Sequence, residues 1–252
     1  MAFWDFFSDK PKVQLPPGKK TPYQGDMGKT TNLYKLFAIP KERRDETWMK
    51  NFVANVADAG FRCGDPQVIQ GPDGFPYFIL FLPNQYQPFQ AFVIRRMKDD
   101  FLLEAGYGIV INPHGSQNAA DWVFSYGDIV NLHVNGEFYT SVHTPEFEDD
   151  ELMLGDLVAE RPSEKILPPQ ARVVIKDFLK SQNVQEAKIL LLTKNIDGCR
   201  VQRFVFNLYP DQFPTTRHFD FTMNHLNWFL PRHYKILQLP RDNKWLSYFS
   251  EL

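Results

Sequence analysis

Residues 187–209, AKILLLTKNIDGCRVQRFVFNLY, hold the pattern on which the fold turns. An apolar run over 187–193 meets the polar tetrad NIDG at 195–198, and a second apolar run follows over 201–209. Two such runs around an Asp-Gly pair predict a β-hairpin, because this dipeptide accepts the positive backbone angles that a tight turn demands. Upstream, Pro168-Pro169 opens a predicted helix over Gln170–Ser181 with Val173, Val174, Phe178 and Leu179 as its apolar face. Proline suits that start, since the first helical turn has no use for the missing N–H. Downstream, the spacing predicts a helix over Thr216–Leu230, a strand over Tyr234–Leu239 ending at Pro240, and a closing helix over Trp245–Phe249.

The same order of landmarks stands in the first half. NLYKLFAIP (32–40) predicts a strand, and Arg44–Gly60 predicts a helix with Trp48, Phe52, Val53 and Val56 at helical spacing. PQVIQ, GPDG and PYFILFL (66–82) predict a hairpin, Phe89–Leu103 an amphipathic helix, and GIVIN (108–112) a buried strand. A helical turn carrying Trp122 is expected around Ala119–Tyr126, then a strand over DIVNLHV (128–134). Asp73-Gly74 precedes Asp197-Gly198 by 124 positions, Pro83 precedes Pro210 by 127, Pro113 precedes Pro240 by 127, and Trp122 precedes Trp245 by 123. This regularity predicts a tandem duplication of one α+β module with mixed or antiparallel sheets. The expected division is an arm at 1–30, a first module at 31–145, an acidic linker at 146–165 and a second module at 166–252.

Composition bounds the function. Of 252 residues, 43% are hydrophobic and 15% aromatic, which supplies a core and excludes a disordered chain. No apolar run approaches the ~20 residues that span a bilayer, and the start MAFWDFFSDKPK lacks a secretory signal pattern. Cys63 and Cys199 make no disulfide framework, so a cytoplasmic setting is expected. The net charge of −2 conceals a split, +6 over residues 161–252 and −8 over residues 1–160. EFEDDELMLGD (146–156) concentrates six carboxylates, among them Glu148, Asp149, Asp150 and Glu151. Such a run is either a solvated linker or a recognition segment for a basic partner. The basic residues are scattered, which argues against nucleic acid as a partner.

The second half also resembles a known family. The stretch ILPPQARVVIKDFLKSQNVQEAKILLLTKNIDGCRVQRFVFNLY, followed by HLNWFLPRHYKILQLPRDNKWLSYFSEL, is similar to the C-terminal domain of the SseB (enhanced serine sensitivity) family. The resemblance covers roughly residues 160–252. It implies a bacterial cytoplasmic protein of no established catalytic activity and carries no functional residues with it.

Reactive signatures are wanting. GDMGKTT (25–31) ends like a phosphate-binding loop, but Tyr23 stands where the motif needs its first glycine, and the strand predicted over 32–40 follows where the motif needs a helix. His218 and His225 lie seven apart on one predicted helix, and even with His233 they make a poor metal set. Neither Cys63 nor Cys199 has a partnering base in its motif. Nothing calls for a cofactor. The leading aromatics Phe3, Trp4, Phe6 and Phe7 suit docking onto this protein's own core or onto a partner better than membrane anchoring.

These readings favour a non-catalytic interaction or regulatory protein whose partner is a protein, with self-association as an open option. Its expected surface comprises Tyr86 and Phe89 from PNQYQPFQ (83–90), Phe213 from YPDQFP (209–214), and the carboxylates at 148–151. The opposing role for Tyr86 and Phe213 is capping the core beneath each loop. The alternative function is an enzyme or small-molecule-binding protein with a site between the modules, built from His114, Asp121, His218 and Asp220. A third option is an inhibitor that presents residues 146–156 to a basic partner.

Overall fold

The computed structural model describes residues 25–84, 89–112, 120–141, 157–196 and 198–252. The protein is α+β, with a four-stranded and a five-stranded sheet. In the first half, α1 (Met27–Phe37) is capped by Asp26, whose side chain accepts from the Lys29 N–H, and buries Thr30, Leu33 and Phe37. Helix α2 (Glu46–Val56) is capped by Asp45 and buries Trp48, Phe52 and Val56 at four-residue spacing. Strands β1 (Arg62–Gln70) and β2 (Pro76–Phe81) form the predicted hairpin. Helix α3 spans 94–105, α-helical at Ile94–Met97, widened to a π-turn at Lys98–Leu102 and closed at Leu103–Ala105. Strand β3 (Gly108–Ile111) returns parallel to β2, β4 (Trp122–Phe124) adds antiparallel to β3, and α4 (Tyr126–Asn135) follows.

The second half begins with β5 (Val158–Glu160), α5 (Pro169–Ser181), and the hairpin of β6 (Lys188–Ile196) and β7 (Cys199–Phe206). Helix α6 (Thr216–Phe229) leads to β8 (Lys235–Ile236), which lies parallel to β7. A 3-10 turn at Leu246–Tyr248 and β9 (Ser250–Glu251), paired with β6, close the chain's described part. Strand β5 also pairs with β6, so residues 158–160 of the expected linker belong to the second sheet. The two halves share one sequence of elements: helix, antiparallel hairpin, helix, and a third strand parallel to the second.

Four local expectations are corrected. Residues 32–37 are helix rather than strand, because Thr30, Leu33 and Phe37 recur at helical spacing behind the Asp26 cap. Trp122 sits on a strand rather than a helical turn, its chain alternating between Trp122 and Phe124 on one face and Val123 on the other. Residues 128–134 are helix rather than strand. Ser125 and Asp128 form a reciprocal capping box there, and Gly136, at φ 77°, ends the helix. Every residue from Tyr126 to Leu132 is buried, so the segment has the continuous apolar look of a central strand. The closing segment 245–249 holds only a 3-10 turn, not a full helix.

The interior also differs from expectation. Instead of one core per half, a single buried cluster runs from Leu33 to Leu230 and takes in the inner face of each sheet. Helix α3 packs on α5, and α4 packs on α6. The close approach of α4 depends on Gly127, where a Cβ would run into the Leu230 carbonyl. A second, smaller cluster covers the far face of the second sheet: Leu190, Leu192, Val201 and Val205 lie beneath Leu237, Leu239, Trp245 and Phe249.

Candidate interaction groove

The far face of the first sheet is the counterpart of that covered face. Alternation along β2 points Phe78 and Leu80 to one face and Tyr77, Ile79 and Phe81 to the other, where Tyr77 is itself buried and joined to the core while Ile79 and Phe81 are half-buried. Pairing aligns Ile69 with Tyr77, Ile79 with Val110, and Val110 with Val123. These six side chains floor a groove of about 1030 Å³, rimmed by Arg62, Asp65, Gln70, Asp73 and Asn112. Its concavity comes from β1. The pairing register breaks between Cys63 and Val68, and Gly64, Asp65 and Pro66 of the released stretch line the groove. Gly64 permits this, since a Cβ there would stand 3.1 Å from Phe81 and 3.2 Å from Ile79.

Arg62, Asp73 and Tyr77 help to hold the groove's shape. The Arg62 guanidinium lies 4.6 Å from the Phe81 ring centroid, and its Nε donates to the Leu82 carbonyl at 3.3 Å. The Tyr77 hydroxyl donates to Asp73, which also accepts from the Phe75 N–H at 3.2 Å and so fixes the hairpin turn. Trp228 Nε1, from the second half, donates to the Tyr77 oxygen at 2.8 Å. Burial, seconded by the Asp73 carboxylate, raises the Tyr77 phenol above its ordinary value, against the opposing pull of the Trp228 N–H. Tyr77 is thus a neutral hydrogen-bonding hub.

The residues singled out from sequence are dispersed. Phe89 is 37% exposed on the stretch before α3, while Phe213 is buried, its ring 5.5 Å from both His218 and Phe219. The turn at Pro210–Gln212 directs it inward, where the Gln212 side chain accepts from the Tyr209 N–H at 2.8 Å. Phe213 therefore caps the core. Tyr86, His114 and the carboxylates at 148–151 lie outside the described residues. Asp121 is paired with Arg44, His218 Nε2 contacts the Gln182 side chain at 2.8 Å, and Asp220 is exposed. These three serve separate local structures rather than one centre. No group of three or more potential metal ligands occurs among the described residues.

The segment 25–31 also has a structural explanation. A helix does follow it, contrary to expectation, but its polar groups are committed. Lys29 Nζ pairs with Asp58 at 2.6 Å, and Thr30 Oγ1 accepts from the Gly60 N–H at 2.9 Å. Two further clefts, of about 520 and 600 Å³, share His133, Pro169 and Gln170 at the junction of the halves. There His133 Nδ1 lies 3.0 Å from Asp99, which also pairs with Lys98 at 2.5 Å.

The groove itself was missed from sequence. Its signal was present in the odd-numbered positions of β2, where Tyr77, Ile79 and Phe81 are as apolar as the inward set, so that neither face of the strand is marked as the wet one. No family model, curated protein or solved structure matches the chain. No helix among the described residues is long and apolar enough to cross a membrane.

Proposed function

We propose that the protein is a non-catalytic interaction module whose working surface is the outer groove of the first sheet, and that its ligand is an apolar, aromatic-bearing segment of a protein. The observation that carries this reading is the contrast between two faces of like topology. On the second sheet the far face is sealed by Leu237, Leu239, Trp245 and Phe249, whereas on the first Tyr77 and Val110 are buried but Ile79 and Phe81 are half-buried and Val123 is 39% exposed. Contiguous apolar concavities of this size are characteristic of binding sites. The exposed carboxylate of Asp65 at the rim favours a ligand with basic flanks. The shared order of elements supports descent of the two halves from one copied unit. The resemblance of residues 160–252 to a family of no established catalytic activity supports the same reading, and the two free cysteines support a cytoplasmic setting.

Selection of a random peptide library against the full chain tests the proposal. Selected peptides should be rich in aromatic and aliphatic residues, and Val123→Lys should weaken their binding at least ~10-fold, equivalent to ~1.4 kcal/mol. Because Val123 is exposed, the variant should keep its stability within ~0.5 kcal/mol. Selected peptides indifferent to Val123→Lys would remove the groove from the function.

A further inference from the structure

We infer that the groove is occupied in the isolated protein by the chain's own residues 3–7, Phe3-Trp4-Asp5-Phe6-Phe7, so that a partner binds by displacing them. This rests on the docking reading of the groove and adds the regulation of that surface. Residues 1–24 lie outside the described residues, and three observations point to them.

The first is the precedent within the molecule. The far face of the second sheet is covered by a chain segment that brings Trp245 and Phe249 within five positions of each other. Residues 3–7 place four aromatic side chains in the same short compass, and on the first sheet's far face the described residues leave Ile79 and Phe81 half-buried and Val123 exposed. The second is position. Gly25, at φ 77°, packs so closely on Gly60 that a Cβ would lie 2.7 Å from the Gly60 nitrogen, and the Asp26 N–H donates to the Asp58 carbonyl at 2.9 Å. Arg62, on the groove rim, is two residues past Gly60, about 7 Å along an extended chain. Residues 8–24, with four prolines, can span on the order of 50 Å in extended form, so the aromatic run reaches every part of the groove. The third is charge. Lys10 and Lys12, three and five positions past Phe7 and beyond Asp9, are opposite in sign to the exposed Asp65 and Asp73 on the rim.

Self-occupancy lowers apparent affinity for a competitor in proportion to the fraction of open groove. The test uses the full chain with Phe6 replaced by the photoreactive residue p-benzoylphenylalanine, irradiated in dilute solution and mapped by mass spectrometry. The expected result is an intrachain cross-link to the peptides holding Ile79, Phe81, Val110 or Val123, lost in the Val123→Lys background. Cross-links elsewhere on the chain, cross-links to a second chain, or none at all would overturn the inference. A second arm measures a library-selected groove peptide against the full-length variant Phe3→Ser, Trp4→Ser, Phe6→Ser, Phe7→Ser. Its affinity should rise several-fold over the wild type, and an unchanged affinity overturns self-occupancy. Peptide binding that is sensitive to Val123→Lys but indifferent to the serine variant leaves the docking surface standing and removes only its regulation. Loss of both readouts removes both.

Discussion

Arg232 clasps Asp128 across the junction of the two halves, its Nε and Nη2 donating to the two carboxylate oxygens at 2.7 and 2.8 Å. The Asp128 side chain is wholly buried, whereas that of Arg232 is 59% exposed. The same carboxylate accepts from the Ser125 N–H at 2.9 Å, so one group both starts α4 and fastens it to the turn after α6. The Arg232 guanidinium also lies 4.7 Å from the Tyr139 ring centroid. Burial raises the Tyr139 phenol to about 12, with the Asp128 charge pushing the same way and Arg232 opposing it.

Removing the guanidinium should therefore cost more than an exposed ion pair would. Arg232→Met leaves a buried carboxylate with the Ser125 N–H as its remaining backbone donor, and a loss of about 2–3 kcal/mol is expected, below the 3–5 of a fully enclosed pair because solvent reaches the arginine side. Urea denaturation measures it. The double variant Asp128→Asn, Arg232→Met should lose less than the sum of its parts. Strict additivity would show that the two residues do not act as a unit.

Gly127 sets the distance between α4 and the end of α6. In Gly127→Ala the new methyl group meets the Leu230 carbonyl, a backbone atom that cannot rotate away, so the helices must separate. The expected loss is about 1–3 kcal/mol despite the better helix propensity of alanine. Thermal unfolding monitored by circular dichroism reads the change, and a Tm equal to or above that of the wild type would contradict the packing described.

Acid should weaken the fold in two stages. Burial holds the His233 imidazole below its ordinary 6.5, with the Glu137 charge opposing. The unfolded chain thus takes up this proton before the folded one does, and stability falls as pH drops through about 6.5 toward the folded value. His233→Gln should flatten that slope in urea titrations between pH 7 and pH 5. At Asp58, burial would raise the carboxyl, but hydrogen bonds and charges from Arg95 and Lys29 outweigh it and leave it below 3.8. Stability from this group is present above its unfolded value and is lost as pH falls through the lower folded one, so Asp58→Asn should reduce the more acidic stage, to which the likewise lowered Asp99 also contributes, and leave the His233 stage unchanged.

How far the sequence could be read varies by element. The hairpins, α2, α5 and α6 were legible because each rests on local chemistry: an Asp-Gly turn, a proline at a helix start, or apolar residues repeating every three or four positions. Segment 128–134 was misread because its residues 128–132 are buried on every side, which erases the periodicity that separates helix from strand, and segment 32–37 because its helical spacing shows only when it is read together with Thr30 and the Asp26 cap. Among the candidate site residues, Phe213 fits the capping role, while Asp121 and His218 prove to be held by Arg44 and Gln182, partners 77 and 36 positions away that no local pattern announces.

The sequence by itself determined the α+β class and the repeated order of elements, because turns, caps and periodic faces act over a few residues. Only the tertiary structure decided that the halves merge into one interior, since this depends on Gly127 meeting Leu230, Arg232 reaching Asp128, and Trp228 donating to Tyr77. Such contacts join residues up to 151 positions apart, and their energy is set by fit in three dimensions. The open groove belongs with them: the chain after β8 folds back over its sheet, while the chain after β3 adds β4 to the edge and leaves Ile79, Phe81 and Val123 partly open on the far face, beside the buried Tyr77 and Val110.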